Sequence, residues 1–142
     1  MAASPADVLR LWFDRVWNAG DESAIDELKA PTAVPHGLPT DGTPGPAGFR
    51  PFFHAFRAAF PDIRVEITHA FSDGDMGVVR CRVTGTNLAG LPGVSTMATN
   101  RAADFTGMTI ARVVDGKIQE AWNEYDFQRM YQQLQLQPPA VV

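Results

Sequence analysis

The sequence predicts an α+β fold, with helices packed on one face of a curved, mainly antiparallel sheet. Three observations carry that expectation. Apolar residues recur at helical spacing near the start, as Leu9, Trp12, Phe13, Val16 and Trp17, and again as Phe49, Phe52, Phe53, Phe56 and Phe60. From Ile63 the pattern changes to alternation, with Ile63, Val65, Ile67, His69 and Phe71 set against Arg64, Glu66, Thr68 and Ala70. Finally, Asp115-Gly116 sits between two alternating runs, which is a hairpin signal.

Ser4-Pro5-Ala6-Asp7 starts the first helix, with Ser4 at the N-cap, Pro5 in the first turn and an acid three residues after the cap. Gly20 ends it, and Asp21 caps a short second helix through Leu28. Between Ala30 and Gly48 stand Pro31, Pro35, Pro39, Pro44 and Pro46, so this stretch is expected to be a loop or at most a ragged strand. So long a loop in a compact domain is more often functional than idle. The third helix carries the phenylalanine stripe and stops at Pro61. A strand from Ile63 to Phe71 turns at Asp73-Gly74-Asp75 into another, Val78 to Asn87. A Gly-rich loop from Leu88 to Ala103 then leads to the central hairpin, Phe105 to Asp126. A last helix starts at Asp126 and runs to about Leu134, before a tail with Pro138-Pro139. The chain reads as one domain over residues 1–142, with tails at 1–4 and 135–142.

The hairpin has two unlike faces. Phe105, Gly107, Thr109, Ala111 and Val113 share one with Gln119, Ala121, Asn123 and Tyr125. The other carries Met108, Ile110 and Arg112 with Ile118, Glu120, Trp122 and Glu124. The first suits a concave side that closes a pocket, and the second suits solvent or a second subunit. Alternation alone does not choose between them.

Composition narrows the function classes. A formal net charge of −4 argues against nucleic acid, whose phosphates call for a basic surface. No apolar run approaches the roughly 20 residues that cross a bilayer. MAASPADVLRLW lacks the basic start and apolar core of a signal peptide. Cys81 is the only cysteine, so no internal disulfide forms, which suits a cytoplasmic protein. His36, His54 and His69 lack metal-ligand spacing, and nothing points to a metal or cofactor.

Three segments carry a family resemblance: VWNAGD (Val16 to Asp21), GPAGFRPFFHAFRAAFPDI (Gly45 to Ile63) and RVVDGKIQEAWNEYDF (Arg112 to Phe127). In order and spacing the chain resembles the SnoaL-like polyketide cyclases of the nuclear transport factor 2-like superfamily, from about Val8 to Leu134. The resemblance implies a cone-shaped sheet enclosing a pocket. It also implies that an aspartate on the last strand serves as acid/base for aldol ring closure, aided by a histidine and a glutamine on the strand before. Carried over along the hairpin, these three positions hold Asn123, Thr109 and Gly107. Two substrate-lining positions fall on Trp17 and Phe52, which stay large and aromatic. A carboxamide cannot take and return a proton near neutral pH, although it can orient a carbonyl or stabilise developing negative charge.

The site expected from these readings has Asn123, Thr109, Asp126 and His36 as candidate catalytic residues. Asp126 reads more readily as the N-cap of the last helix, and His36 as either a base at the pocket mouth or a surface histidine. Trp12, Phe13, Trp17, Phe52 and Phe56 are core residues that also offer a ring-binding wall. His69 and Asn87 complete the expected ligand contacts, against alternatives for His69 as a core histidine bonded to a neighbour or an exposed one after a strand kink, and for Asn87 as an asparagine making a turn. Trp122 is expected at a homodimer interface on the outer sheet face, and the expected ligand is small and apolar or aromatic. Three readings stand open: an enzyme acting on a carbonyl-bearing, polyketide-like ring compound; a non-catalytic binding or regulatory protein with the same frame; and, as the resemblance also implies, a hydroxylase- or dehydratase-like activity.

Overall fold

The computed structural model describes residues 3–138; residues 1 and 2, and the tail beyond Pro138 with Pro139, lie outside the described residues. Helix α1 (Pro5–Leu11) opens with the predicted capping box: Ser4 Oγ accepts from the Asp7 N–H, and the Asp7 carboxylate accepts from the Ser4 N–H. Over Trp12–Asn18 the helix continues as a π-helix, sealed by the Ala19 N–H donating to the Asp14 carbonyl at 2.9 Å. In this i→i+5 geometry residues five apart come onto one face, so Trp12 and Trp17 both turn inward. An α-helix through the same sequence would splay them. Helix α2 (Ser23–Leu28) has Glu22 rather than Asp21 as its N-cap; Asp21 stands one residue earlier, its Oδ1 accepting from the Ser23 N–H at 3.1 Å.

The proline-rich stretch contains a strand, β1 (Lys29–His36), and it is ragged, with its register broken between Lys29 and Val34. The five strands run in the order β1-β5-β4-β3-β2. As an edge strand β1 tolerates Pro31 and Pro35, because one side of its backbone needs no ladder partner. β1 pairs parallel to β5 (Lys117–Tyr125). The remaining pairs, among β2 (Arg64–Asp73), β3 (Met76–Thr86), β4 (Ala102–Val114) and β5, are antiparallel. The β4–β5 turn is the predicted one, with Asp115 at φ 52° and Gly116 at φ 74°.

Two further register breaks bend the sheet and correct the alternation. The one between Arg112 and Val113 carries Ile118 inward beside Val113, not outward with Glu120 and Trp122 as strict alternation predicts. The one between Ile67 and His69 turns the end of β2 over, leaving His69 and Phe71 exposed.

Against the concave face packs α3 (Gly45–Ala59), whose Phe49, Phe53 and Phe56 are buried. Trp17 is the hub of this layer, with Phe49, Phe52, Phe53 and Phe56 at ring-centroid distances of 5.6–6.0 Å. Edge-on and tilted contacts of this kind contribute beyond simple area burial. Helix α4 (Phe127–Leu134) packs on β4, buried through Met130 and Leu134. The result is the cone-like α+β arrangement expected from the sequence.

A candidate ligand cavity with two kinds of polar group

The cone is not filled. Between the helices and the concave sheet lies a narrow cavity of about 70 Å³. Trp12, Phe13 and Trp17 line it from the first helical segment, Phe49, Phe52 and Phe56 from α3, and Val65, Val83, Phe105 and Ala121 from the sheet. On the far side of Phe52, Phe56 and Phe127 lies a second, wider apolar recess of about 340 Å³, bordered by Leu91, Pro92 and Val94 of the loop after β3 and by Tyr131 of α4. Those three phenylalanines are therefore a partition between two apolar spaces.

Four of the lining residues are polar: Lys29, Thr109, Asn123 and Tyr125. Three of them form one chain of hydrogen bonds. Thr109 and Asn123 are cross-strand partners, and Gly107 pairs with Tyr125 two residues away. The Asn123 Nδ2 donates to the His36 carbonyl at 3.0 Å, which fixes the amide, because its oxygen could not face a carbonyl there. Asn123 Oδ1 thus accepts from the Thr109 hydroxyl at 2.9 Å. Having spent its one proton, Thr109 Oγ1 accepts from the Tyr125 hydroxyl at 2.8 Å.

Glycines make room for this node. Gly37 follows β1 at φ 80°, and a Cβ there would lie 1.9 Å from the Asn123 carbonyl oxygen. A Cβ on Gly107 would sit 2.2 Å from the Tyr125 ring, so that ring occupies the space a side chain at 107 would take. Burial pushes the Tyr125 phenol well above its usual range, so it stays protonated near neutral pH. Beneath it Cys81 is fully buried and its thiol is likewise pushed up.

Lys29 is the fourth polar group, and it is different in kind. It is 3% exposed, with its Nζ over the rings of Trp12 and Phe49 at 5.2 and 4.9 Å from their centroids. Among the described residues, no carboxylate lines the cavity. Burial among apolar walls pushes the Lys29 ammonium down to about 8.

The structure brings together Trp12, Phe13, Trp17, Phe52, Phe56, Thr109 and Asn123. Four other expected site residues lie outside the cavity. Asp126 is the N-cap of α4, accepting from the Arg129 N–H at 3.0 Å. The His36 side chain lies on the outer face, stacked on Trp122 and 2.7 Å from Glu120; only its backbone carbonyl touches the node. The β2 register break puts His69 in solvent, against Thr68 Oγ1 at 3.0 Å. Asn87 is fully buried as a loop clamp: its Nδ2 donates to the Ala89 carbonyl at 2.9 Å and its Oδ1 accepts from the Thr99 N–H at 2.8 Å. Among the described residues, no three His, Cys, Asp or Glu side chains gather as a metal site, and no helix is long and apolar enough to cross a membrane.

Sequence reasoning missed Lys29 and Tyr125. Alternation put Tyr125 on the face of Asn123, and that was its available signal. Lys29 had none, because it begins a strand whose register is broken at once.

Comparison with known proteins agrees with this geometry. The chain is similar in structure to IdmH of Streptomyces antibioticus, assigned as a polyketide cyclase, at 28% identity and TM-score 0.77 over 94% of this chain and 99% of that one. A protein of Acidithiobacillus ferrooxidans with the same assignment is 28% identical at TM-score 0.78, over 95% of this chain and 98% of its own. AclR of Streptomyces galilaeus, assigned as a hydroxylase, is 24% identical at TM-score 0.75 over 93% and 98%, and shares the fold. No curated protein matches the chain by sequence. The family model of the SnoaL-like polyketide cyclases matches residues 7–134, and the chain belongs to that family.

Proposed function

We propose that the protein binds a small, apolar, carbonyl-bearing ring compound of polyketide type in its aromatic cavity and converts it. The observation that carries this reading is a cavity walled by Trp12, Trp17, Phe49, Phe52 and Phe56 with a few polar groups converging on it. Asn123 has one N–H committed to the His36 carbonyl, and its second is available to a ligand carbonyl. The test is a thermal-shift series with polycyclic aromatic ketones, steroids and short acyl esters, comparing the wild type with Phe52→Ala. A ligand at about 100 times its Kd adds roughly 2.7 kcal/mol to stability. A shift with the ketones that is lost in the variant supports the reading; no shift with any class overturns it.

The Thr109–Asn123–Tyr125 node favours a second reading, a non-catalytic binder, because it holds no proton that titrates near neutral pH. Asn123→Asp separates the two. A carboxyl there would meet the His36 carbonyl and stay protonated to higher pH, so its folded pKa is raised. Its stability contribution is then present at low pH and lost as pH rises through that raised value. Cyclase activity gained by Asn123→Asp, with none in the wild type, marks the wild type as a binder.

The outer sheet face supports a homodimer in the same reading. Phe71, Val78, Ile110, Trp122 and His36 stand opposite one another in turn, a row across all five strands. Phe71 and Trp122 remain 61% and 36% exposed. Trp122→Arg is expected to turn a dimer into a monomer in sedimentation; a monomeric wild type would refute the assignment.

A further inference from the structure

Lys29 belongs neither to the hydrogen-bonded node nor to the apolar wall. Its Nζ has no hydrogen-bond or ion-pair partner among the described residues, and its neighbours in sequence cannot serve: Asp26 is paired with Arg50, and Glu27 with Arg15. Among the described residues no side-chain nitrogen or oxygen is sealed off without a partner, so the Lys29 amine keeps some exposure; Lys29 lines the cavity, and its Nζ lies over Trp12 and Phe49, which line it too. An unpartnered amine in an apolar chamber is costly to keep and well suited to attack a carbonyl.

We propose that the Lys29 amine captures an aldehyde or ketone ligand as an imine inside the aromatic cavity. This rests on the cavity reading above and names the group that reacts. The Nζ lone pair attacks the carbonyl carbon, and the C=O π pair moves onto oxygen. A proton passes from nitrogen to that oxygen, which takes up a second proton and leaves as water while the C=N bond forms. Nothing is oxidised or reduced, and hydrolysis reverses the sequence. The attacking amine must be neutral, and burial that lowers the Lys29 pKa to about 8 supplies a usable neutral fraction near neutral pH. The rings of Trp12 and Phe49 that face the ammonium would face the protonated imine in the same way. Tyr125, a neutral phenol, is the only other ionisable group in the lining.

The experiment is reductive trapping of the full chain with 2-naphthaldehyde and sodium cyanoborohydride, read by intact and peptide mass spectrometry. The chain has one other lysine, Lys117, whose Nζ donates to the Asp26 and Glu27 carbonyls outside the cavity. One reduced adduct is expected on the Lys29 peptide, formed at least about tenfold faster than on Lys117 and faster at about pH 8.5 than at about pH 6.5. Excess naphthalene, which fills the cavity without reacting, should slow it, and Lys29→Met should abolish it. The wild-type peptide map decides the matter even if the variant folds poorly. Adducts confined to Lys117 and the α-amine, or formed equally fast on all amines, overturn the proposal. If 2-acetonaphthone quenches the tryptophan fluorescence but neither carbonyl probe traps at Lys29, the imine fails and the cavity reading stands. If nothing binds and nothing traps, both fail.

Discussion

The polar node on the two central strands and the lysine at the start of the edge strand β1 face the same cavity and solve burial in opposite ways. Thr109, Asn123 and Tyr125 satisfy one another and end on a backbone carbonyl. Lys29 has only the faces of two aromatic rings. A satisfied network costs little to bury and offers a ligand little that is not already used. An unpartnered cation is expensive, and that cost moves its protonation toward the range in which it reacts. The hydrogen-bonded node is therefore chemically quiet, and the reactive group of the proposal lies elsewhere in the wall.

The sharpest test of this contrast is Lys29→Met. With a folded pKa of about 8 against 10.5 for the free side chain, the unfolded chain holds more protons between those values. Wild-type stability should therefore climb as pH rises from 8 to 10.5. At pH 7 the variant should be more stable by about 3 kcal/mol, an advantage that fades through that window, as followed by urea unfolding. A variant less stable than the wild type at pH 7 would mean that Lys29 has a partner after all.

On the node side, Gly107→Gln restores the residue type expected from the family and should be penalised for it. Its Cβ would lie 2.2 Å from the Tyr125 ring and 2.7 Å from the Glu124 carbonyl oxygen. We expect a loss of about 3 kcal/mol, at the upper end for overpacking, measured by chemical unfolding. Partial recovery in Gly107→Gln/Tyr125→Ala would show that Tyr125 took the place of the glutamine.

Thr109→Val should have the smallest effect of the three. It preserves shape but leaves Asn123 Oδ1 and the Tyr125 hydroxyl without their partner, at a cost of about 1–2 kcal/mol. Lys29 trapping should be unaffected. A stability change near zero would mean that water replaces the threonine, and the node would then be less closed than its geometry indicates.

Much of the architecture was legible in the chain because it rests on local rules. The Ser4 capping box, the phenylalanine stripe of α3 and the Asp115-Gly116 turn depend on residues close in sequence. The inner face of the hairpin was also legible up to its bulge, since period-2 alternation sorts Thr109, Asn123 and Tyr125 from Ile110, Trp122 and Glu124 without outside help. With the resemblance to guide the choice of side, the aromatic half of the site followed.

What the sequence could not supply was set by contacts between distant segments. Register breaks at Arg112/Val113 and Ile67/His69 reverse which side chains face inward, sending Ile118 in and His69 out. His36 went to the outer face because β1 pairs parallel to β5 and sets it opposite Trp122. The π-helical turn that brings Trp12 and Trp17 onto one face is likewise a tertiary adjustment that no propensity encodes. By itself the sequence determined the elements, their order and the aromatic content of the pocket, because periodicity and capping act over a few residues. Only the tertiary structure decided which polar groups reach the cavity and whether each finds a partner. That depends on strand register and the closing of α1 and α3 over the sheet, and it is why Lys29 became visible only once the chain was folded.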